Sequence, residues 1–180
     1  MSKDNTQQCI AFEQHDHSQC QNQLMRHAKA LCENRRVKLT PRRLQVLTLL
    51  TQSHQPMGAY EILGCLNQQA NDSSAGKSQS IAPPIVYRAL EFLLAEGLVH
   101  RIESKNAFIS CDHPGHQYAA QFLICSGCEK VAELDNPDSS LLAEADSLGF
   151  KVDHSVVEIT GICKDCSKTN FKEDGNNNDS

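Results

Sequence analysis

Several features are absent from this 180-residue sequence, and each absence argues against a class of protein. No apolar stretch approaches the roughly 20 residues that a membrane-spanning helix needs, so we expect no membrane segment. The first eight residues are polar and lack the apolar core of a secretory signal peptide. Neither a Ser-His-Asp arrangement nor the zinc deaminase signature is visible, and there is no internal repeat. These absences predict a cytoplasmic protein that is not an enzyme.

Cysteine, by contrast, is abundant, with nine in the chain. An odd count leaves at least one cysteine without a disulfide partner, and secreted disulfide scaffolds are usually shorter than this chain. We therefore expect a reducing compartment in which thiolates bind metal.

Four of the cysteines form two Cys-x-x-Cys pairs, Cys125 with Cys128 and Cys163 with Cys166, on either side of a small α/β segment. Four thiolates in two such pairs are typical of a closed tetrahedral zinc site, which holds structure and has no open position for catalysis. The alternatives are a redox dithiol or incidental core cysteines. Neither pair is predicted to open a thioredoxin-like helix after a strand, which argues against a thiol–disulfide enzyme.

The net charge of −5 conceals a segregation of charge along the chain. Residues 24–105 carry 11 Lys and Arg against 6 Asp and Glu, whereas residues 106–180 carry 5 against 13. A basic first half joined to an acidic second half indicates that only the first half meets a polyanion. A run of charge is also typical of a plain solvated surface, so this pattern alone does not decide.

Apolar residues recur at helical spacing in the first half of the chain and predict four helices. Residues 1–20 are polar and are predicted to be a disordered tail. The first helix is predicted over residues 21–34. Thr40 precedes a proline and is predicted to be the N-cap of the second helix, and Gly58 precedes the third.

The fourth helix is predicted to begin at Pro83 and to end at Gly97, after a loop over residues 71–82. Residues 98–111 then alternate apolar and polar side chains on either side of Lys105, which predicts a β-hairpin. Short helices followed by a hairpin are typical of a winged helix-turn-helix domain, and the unwinged motif inserts its second helix into the major groove of DNA.

The acidic half is predicted to be a small α/β unit that cannot bury both faces of its sheet alone, which favours dimerisation through that sheet. Its strands are predicted at 118–125, 130–135 and 151–163, and its helix at 139–148. The fold class is therefore α+β, with an N-terminal winged helix-turn-helix domain followed by a small α/β dimerisation domain. The predicted boundaries are a tail at 1–20, the winged-helix DNA-binding domain at 21–111, the dimerisation and metal-binding domain at 112–167, and a disordered tail at 168–180.

Several separated motifs resemble those of the ferric uptake regulator family of bacterial metal-sensing repressors and occur in the family's order. Residues 39–44 read Leu-Thr-Pro-Arg-Arg-Leu, residues 84–90 read Pro-Ile-Val-Tyr-Arg-Ala-Leu, and residues 149–163 resemble the family's last strand. Ile85 stands where the family usually has threonine. The resemblance extends from about Leu24 to Cys166.

Within the family the sequence resembles the branch that regulates zinc uptake, in part because Cys111 closes the hairpin. The resemblance implies a zinc-responsive DNA-binding repressor of zinc uptake and homeostasis genes, with two zinc ions per subunit. One ion is the four-cysteine structural zinc, and the other is a regulatory zinc near the hinge between the domains. The ligands that the resemblance implies for the regulatory zinc are His100, Cys111, His116 and Glu133. Such a set of nitrogen, sulfur and carboxylate ligands suits tetrahedral zinc, and His113 is the alternative to His116.

The resemblance also implies a homodimer that binds an AT-rich palindromic operator in double-stranded DNA. Tyr87 and Arg88 are predicted to contact the operator, with Tyr60 next, because arginine binds guanine edges and tyrosine packs on thymine methyls. The predicted phosphate contacts are Arg42, Arg43 and Arg35.

Several alternatives stay open at this point. One is an iron- or peroxide-responsive repressor of the same family, and a more distant one is a zinc- or thiol-dependent enzyme. His154 is either an additional metal ligand or an ordinary strand residue. Cys32 and Cys65 are predicted to be small buried side chains. The N-terminal tail offers further metal ligands, without a predicted geometry: Cys9, His15, His17 and Cys20.

Overall fold

The computed structural model describes residues 11–12, 16–72, 80–114, 120–134 and 140–170. The helices among these residues are α1 His17–Asn34, α2 Pro41–Leu50, α3 Ala59–Asp72, α4 Pro83–Ala95, α5 Ser140–Ser147 and α6 Lys164–Asn170. The strands are β1 Val99–Ile102, β2 Ala107–Ser110, β3 Ala120–Cys125, β4 Val131–Glu133 and β5 Val156–Gly161. The elements follow the predicted order as far as β5, and α6 is an addition.

The four N-terminal helices pack around one hydrophobic core because each of them has an apolar side at helical spacing. On α4, the predicted apolar stripe is buried at Val86, Leu90 and Leu93. Gly97 ends this helix with a φ of 65°, a left-handed conformation that glycine adopts without strain. Prolines occupy the first turns of α2 and α4, as predicted.

Strands β1 and β2 pair antiparallel and form the predicted hairpin, which is the wing of the winged-helix domain. The alternation of side chains along the hairpin places Val99 and Phe108 in the helical core. Ile102 and Ile109 point the other way and belong to a second hydrophobic core. The wing therefore contributes to the cores of both halves of the chain.

The second half contains a three-stranded sheet with the strand order β4-β3-β5. Strand β4 pairs antiparallel with β3, whereas β5 pairs parallel with β3 after a crossover that includes α5. Phe122, Ile124 and Val131 of this sheet pack against the wing in the second core. The structure thus confirms an α+β chain in which a winged-helix domain precedes a small α/β domain.

The start of α1 differs from the prediction. The helix begins at His17 rather than Gln21, because Asp16 accepts a hydrogen bond from the Ser18 amide at 3.0 Å and caps the helix. Cys20 therefore lies inside a helix and is buried. Residues 17–20 do not belong to the predicted disordered tail.

Other boundaries shift in the second half. Strand β5 is shorter than predicted, and α6 extends past residue 167 into the predicted C-terminal tail. Thr40 occupies the N-cap of α2, but its side chain makes no capping hydrogen bond. Cys32 is buried as predicted, whereas Cys65 is only half-buried. None of the described helices has both the length and the apolar character that crossing a bilayer requires.

Candidate metal centres and nucleic-acid interface

The two Cys-x-x-Cys pairs converge because the strands that precede them lie side by side. Cys125 ends β3 and pairs in register with Gly161, which ends β5. The chain then turns back through Glu129, whose φ is 60°, and Cys128 lies within that turn. The second pair follows β5 within two residues, at the start of α6. The parallel pairing of β3 with β5 therefore delivers both pairs to one edge of the sheet.

The four sulfur atoms form one compact cluster. Each lies within 4.8 Å of the others, and the Sγ atoms of Cys128 and Cys163 are 3.9 Å apart. Zinc–sulfur bonds of about 2.3 Å in a tetrahedron place the sulfurs about 3.8 Å apart, so the cluster fits a zinc ion. Gly127 leaves the necessary room, because a Cβ there would lie 3.0 Å from both Cβ and Sγ of Cys166. None of the eight cysteines in the described residues forms a disulfide.

The surroundings of the cluster lower the pKa of the Cys125 thiol and raise the pKa values of the Cys128 and Cys166 thiols. Burial disfavours the Cys125 thiolate, but backbone amides, that of Cys163 foremost, lower its pKa to about 6. The Cys163 amide lies 3.3 Å from the Cys125 sulfur. The Cys163 side chain, and then burial, raise the pKa of Cys166 to about 12. A divalent cation among the sulfurs would offset the repulsion that keeps the remaining thiols protonated.

The structure corrects one argument made from the sequence against a redox role. The second pair does follow a strand and open a helix, since Cys163 lies between β5 and α6 and Cys166 lies in the first turn of α6. The sequence did not predict α6, because this short polar helix has no apolar period. What opposes a redox dithiol is the position of the other pair. The thiols of Cys125 and Cys128 lie next to the Cys163–Cys166 pair. Four clustered thiols suit a metal site and not a thioredoxin-like centre.

A second cluster lies where the wing meets the sheet. His100 lies on β1, Cys111 directly follows β2, and Glu133 ends β4. Their ligand atoms lie within 4.8 Å of one another, and His100 Nε2 is 3.2 Å from Glu133 Oε1. The structure thus brings together three of the four predicted regulatory ligands. His116 lies outside the described residues and His113 is not part of the cluster, so the choice between them stays a prediction.

This hinge cluster is nearly closed to solvent. Cys111 is 3% exposed, and burial, followed by the charge of Glu133, raises the pKa of its thiol. Burial also opposes the ionisation of Glu133, but its contact with His100 holds the pKa of the carboxyl below the usual value. The Asp112 amide donates to the second carboxylate oxygen at 3.1 Å. A divalent cation would balance the buried charge of a thiolate beside a carboxylate, and the thiolate suits zinc better than a harder ion.

The side chains predicted to read DNA project from the surface of the helical domain. Tyr60, in the first turn of α3, is 73% exposed, and Tyr87, in the first half of α4, is 42% exposed. Arg88 is exposed beside it. All three lie off the apolar sides of their helices and are free to meet a ligand outside the domain.

Two of the arginines predicted to contact phosphates also have partners within the domain. The guanidinium of Arg43 lies 3.5 Å from the centre of the Phe92 ring and donates to the Lys38 carbonyl at 2.6 Å. Arg35 donates to the carbonyl oxygen and the carboxylate of Glu96, at 2.8 Å and 3.1 Å. We therefore assign both a stabilising contact. Arg42 donates to Gln45 on its own helix at 2.9 Å, and the phosphate contacts of all three arginines stay predictions.

A third group of metal-binding side chains was not predicted as a group. The ligand atoms of His17, Cys20 and His54 lie within 4.8 Å of one another. His54 carries no motif and is far from the other two in sequence, so only their contact reveals the group. Cys9 and His15 lie outside the described residues.

His154 is exposed and belongs to none of the metal-binding groups among the described residues. It lines a cavity of about 700 Å³ together with His100 of the wing. The two roles predicted for His154, an additional metal ligand and an ordinary strand residue, stay predictions.

Comparison with known proteins agrees with this arrangement. A sequence model of the ferric uptake regulator family matches residues 34–160. The chain belongs to this family. The matched region includes α2 to α4, the wing, the first Cys-x-x-Cys pair and all of the sheet except the last residue of β5.

Individual relatives align with most of the chain. The zinc uptake regulation protein of Escherichia coli strain K12 is 35% identical over 149 residues, 80% of this chain and 81% of the relative. The crystal structure of holo XcZur is 39% identical, with a TM-score of 0.68, and covers 82% of this chain and 99% of its own. A zinc uptake regulator complexed with zinc and DNA is 32% identical, with a TM-score of 0.71, and covers 84% and 97% respectively.

The four-sulfur cluster predicts the effect of removing one ligand. We expect Cys163→Ser to lose zinc and to unfold the end of the sheet, with loss of any dimer, because metal binding and folding are coupled in such sites. Zinc content and native mass of the purified protein measure both effects. Cys65→Ser is the matched control, since Cys65 is half-buried and outside the described clusters. A Cys163→Ser protein with the zinc content of the parent would refute the assignment.

Proposed function

We propose that this protein is a cytoplasmic, zinc-responsive transcriptional repressor that binds DNA as a homodimer and controls genes of zinc uptake and homeostasis. The observation that carries the proposal is the convergence of His100, Cys111 and Glu133 at the join between wing and sheet. An ion bound at that join affects how a DNA-binding domain is held. Two similar proteins support zinc as the metal and DNA as the partner. They are the zinc uptake regulation protein and the regulator solved with zinc and DNA.

We propose two zinc ions per subunit with different tasks. The four-cysteine site has no open position and holds the end of the sheet together. The hinge site, with His116 as its predicted fourth ligand, is regulatory. Its mixed ligands bind zinc less strongly than four thiolates would, which suits an ion that must exchange as the concentration of zinc changes. The buried Cys111 thiol also argues for zinc over the iron of a sibling repressor, because thiolate ligands disfavour harder ions.

The hinge ion would add a bond between two domains that already touch at polar contacts. On the wing, the backbone amides of Glu103 and Ser104 donate to the Glu158 carboxylate at 2.6 Å and 3.1 Å. Elsewhere, Gln55 Nε2 donates to the Cys128 carbonyl at 2.9 Å. Zinc held by wing and sheet residues together favours the orientations in which these contacts form. Zinc can shift the domains toward these orientations only by the difference between its binding free energies for these orientations and for the others.

DNA recognition is assigned to the exposed side of the helical domain. Arg88 and Tyr87 at the start of α4 enter the major groove, while Tyr60 and Arg42 contact bases or phosphates nearby. A homodimer places two such helices about a two-fold axis, so the operator is palindromic, and resemblance to the family adds that it is AT-rich. The predicted boundaries at 21–111 and 112–167 separate this DNA-binding unit from the dimerisation unit.

The homodimer is supported by apolar side chains that one subunit leaves uncovered. Leu148 and Phe150 are exposed after α5, and Ile159 is half exposed on β5. Ile159 pairs with Leu123 on the face of the sheet opposite Phe122 and the second core. A second copy of the chain would bury this face, since a three-stranded sheet cannot cover both of its sides alone.

The exposed position of Arg88 predicts a defect limited to DNA. We expect Arg88→Ala to weaken specific operator binding by about 1–3 kcal/mol and to relax base preference, with unchanged zinc content. Operator titrations at one salt concentration measure the effect. Arg26→Ala removes an exposed arginine from α1 and serves as the control. Equal operator affinity in the Arg88→Ala variant and the parent would exclude this residue from recognition.

A substitution at Cys111 tests the sensing role of the hinge site separately from the structural role of the four-cysteine site. We expect Cys111→Ser to keep the structural zinc and the dimer but to lose most zinc-induced DNA binding, because a hydroxyl is a poor zinc ligand. A switch from 1:99 to 99:1 requires about 5.5 kcal/mol of differential zinc binding, and one ligand of four is a large part of that. Operator binding titrated against zinc tests the expectation.

Cys32→Ser is the control for the cost of burying a hydroxyl, since Cys32 is buried in the helical core away from the clusters. It should lower stability and leave the zinc midpoint unchanged. If a folded Cys111→Ser dimer shows the zinc midpoint and amplitude of the parent, Cys111 is not part of the sensor.

The uncovered face of the sheet predicts the dimer contact. We expect Ile159→Glu to shift the protein toward monomer, because a carboxylate would be buried against the second subunit. Sedimentation at several protein concentrations measures the change. Asn22→Asp adds the same charge at an exposed position of α1 and should leave the dimer intact. A dimer of unchanged strength in the Ile159→Glu variant would place the interface elsewhere.

A further inference from the structure

We propose that His17, Cys20 and His54 form a third zinc site, separate from the four-cysteine site and from the hinge site. His17 and Cys20 are one turn apart on α1, and this spacing places two side chains on the same side of a helix. His54 lies in the segment between α2 and α3. The site therefore joins the first helix to a loop that is more than thirty positions away in sequence.

The geometry is that of a partly assembled ligand set. The three ligand atoms lie within 4.8 Å of one another, the same limit that the four-cysteine cluster meets. The two imidazole rings meet edge to face, with centroids 4.8 Å apart and planes inclined at 63°. Zinc–nitrogen bonds of about 2.0–2.1 Å and a zinc–sulfur bond of about 2.3 Å need ligands about 3.3–3.6 Å apart in a tetrahedron. The limit of 4.8 Å on the separations of the three ligand atoms is compatible with these values.

The chemistry of the ligands selects zinc. Two imidazoles and one thiolate are borderline to soft donors, which disfavour magnesium, calcium and manganese. Cys20 is 8% exposed, and both histidines are half-buried, with the two ring nitrogens of His17 closed off from solvent. Three protein ligands leave one position of a tetrahedron for water. This open position is typical of an ion that exchanges and differs from the closed four-cysteine site.

The alternative is that His17, Cys20 and His54 pack together without binding a metal. Histidine rings often stack edge to face, and a buried cysteine often behaves as a small apolar residue. These common forms of packing account for the position of each residue taken separately. They do not require two imidazoles and a thiol to meet at one point, formed by two separate segments of the chain.

The location gives the third ion a structural consequence. The His54 carbonyl accepts a hydrogen bond of 2.8 Å from the Val131 amide, at the start of β4. On the other side, Gln21 of α1 donates to the Thr51 hydroxyl at 3.1 Å. An ion held by His54 and α1 would thus clamp the first helix to the loop that contacts the sheet. Because β4 ends at Glu133, the same strand touches the third site and carries a ligand of the hinge site.

The test counts zinc ions in the full-length dimer. Native mass spectrometry of protein equilibrated with excess zinc, then exchanged into zinc-free buffer at graded chelator strengths, should show three zinc ions per subunit before the weakest is lost. We expect His54→Gln, which keeps the backbone contact to Val131, to bind one ion fewer. His17→Asn should have the same effect. The matched controls are His27→Ala, an exposed histidine on the same helix, and Cys65→Ser, and both should keep three.

Cobalt substitution gives an independent readout, because thiolate-to-cobalt absorption reports a bound cysteine. In a Cys111→Ser background, which removes the hinge thiolate, the third site should still add one cobalt ion whose absorption disappears with Cys20→Ser. This readout does not depend on whether the hinge site senses zinc, so it can fail or succeed apart from the proposed function. Cobalt absorption in the Cys111→Ser background that Cys20→Ser leaves unchanged, or a folded His54→Gln dimer that binds as many ions as the parent, would overturn the proposal.

Discussion

The two faces of the wing pack into two different hydrophobic cores, one in each half of the chain. The position of one half relative to the other depends on this packing. Val99 and Phe108 pack with the helices, while Ile102 and Ile109 pack with the sheet. A strand alternates its side chains strictly, so a shift of one residue in register would exchange the two sides and unpack both cores. The same alternation points His100 toward the sheet, where its ring contacts Phe122. The hinge site thus follows from the packing that joins the domains.

Charge within the metal-binding clusters explains why they need ions. Thiols crowded together lose protons one at a time, as the opposite displacements of the Cys125 and Cys166 pKa values show. The hinge places a carboxylate beside a thiol that burial keeps protonated. In both places a divalent cation would replace protons as the compensating charge. On the proposed assignment, metal affinity would be linked to folding at the sheet edge and to domain orientation at the hinge.

The basic character of the first half does not by itself identify its DNA-binding surface. Arg43 and Arg35 carry positive charge, yet both are used inside the domain, on Phe92 and on Glu96. Charge counts along a sequence do not distinguish an arginine that faces solvent from one that packs on a ring. Arg88 shows the opposite case, since it lies off the buried side of α4 and is exposed.

The sequence by itself determined what depends on short-range pattern. Apolar residues at helical spacing predicted α1 to α4, alternation predicted the wing, and two spaced cysteine pairs predicted the four-thiol site, because each signal lies within a few residues. Only the tertiary structure decided what depends on pairing between distant segments. The parallel register of β3 with β5 brought the cysteine pairs together, and the docking of the α2–α3 loop beside α1 placed His54 against Cys20. The short helix α6 also escaped prediction, since seven polar residues have no period to read. Contacts of this kind arise from register and packing, which no local pattern encodes.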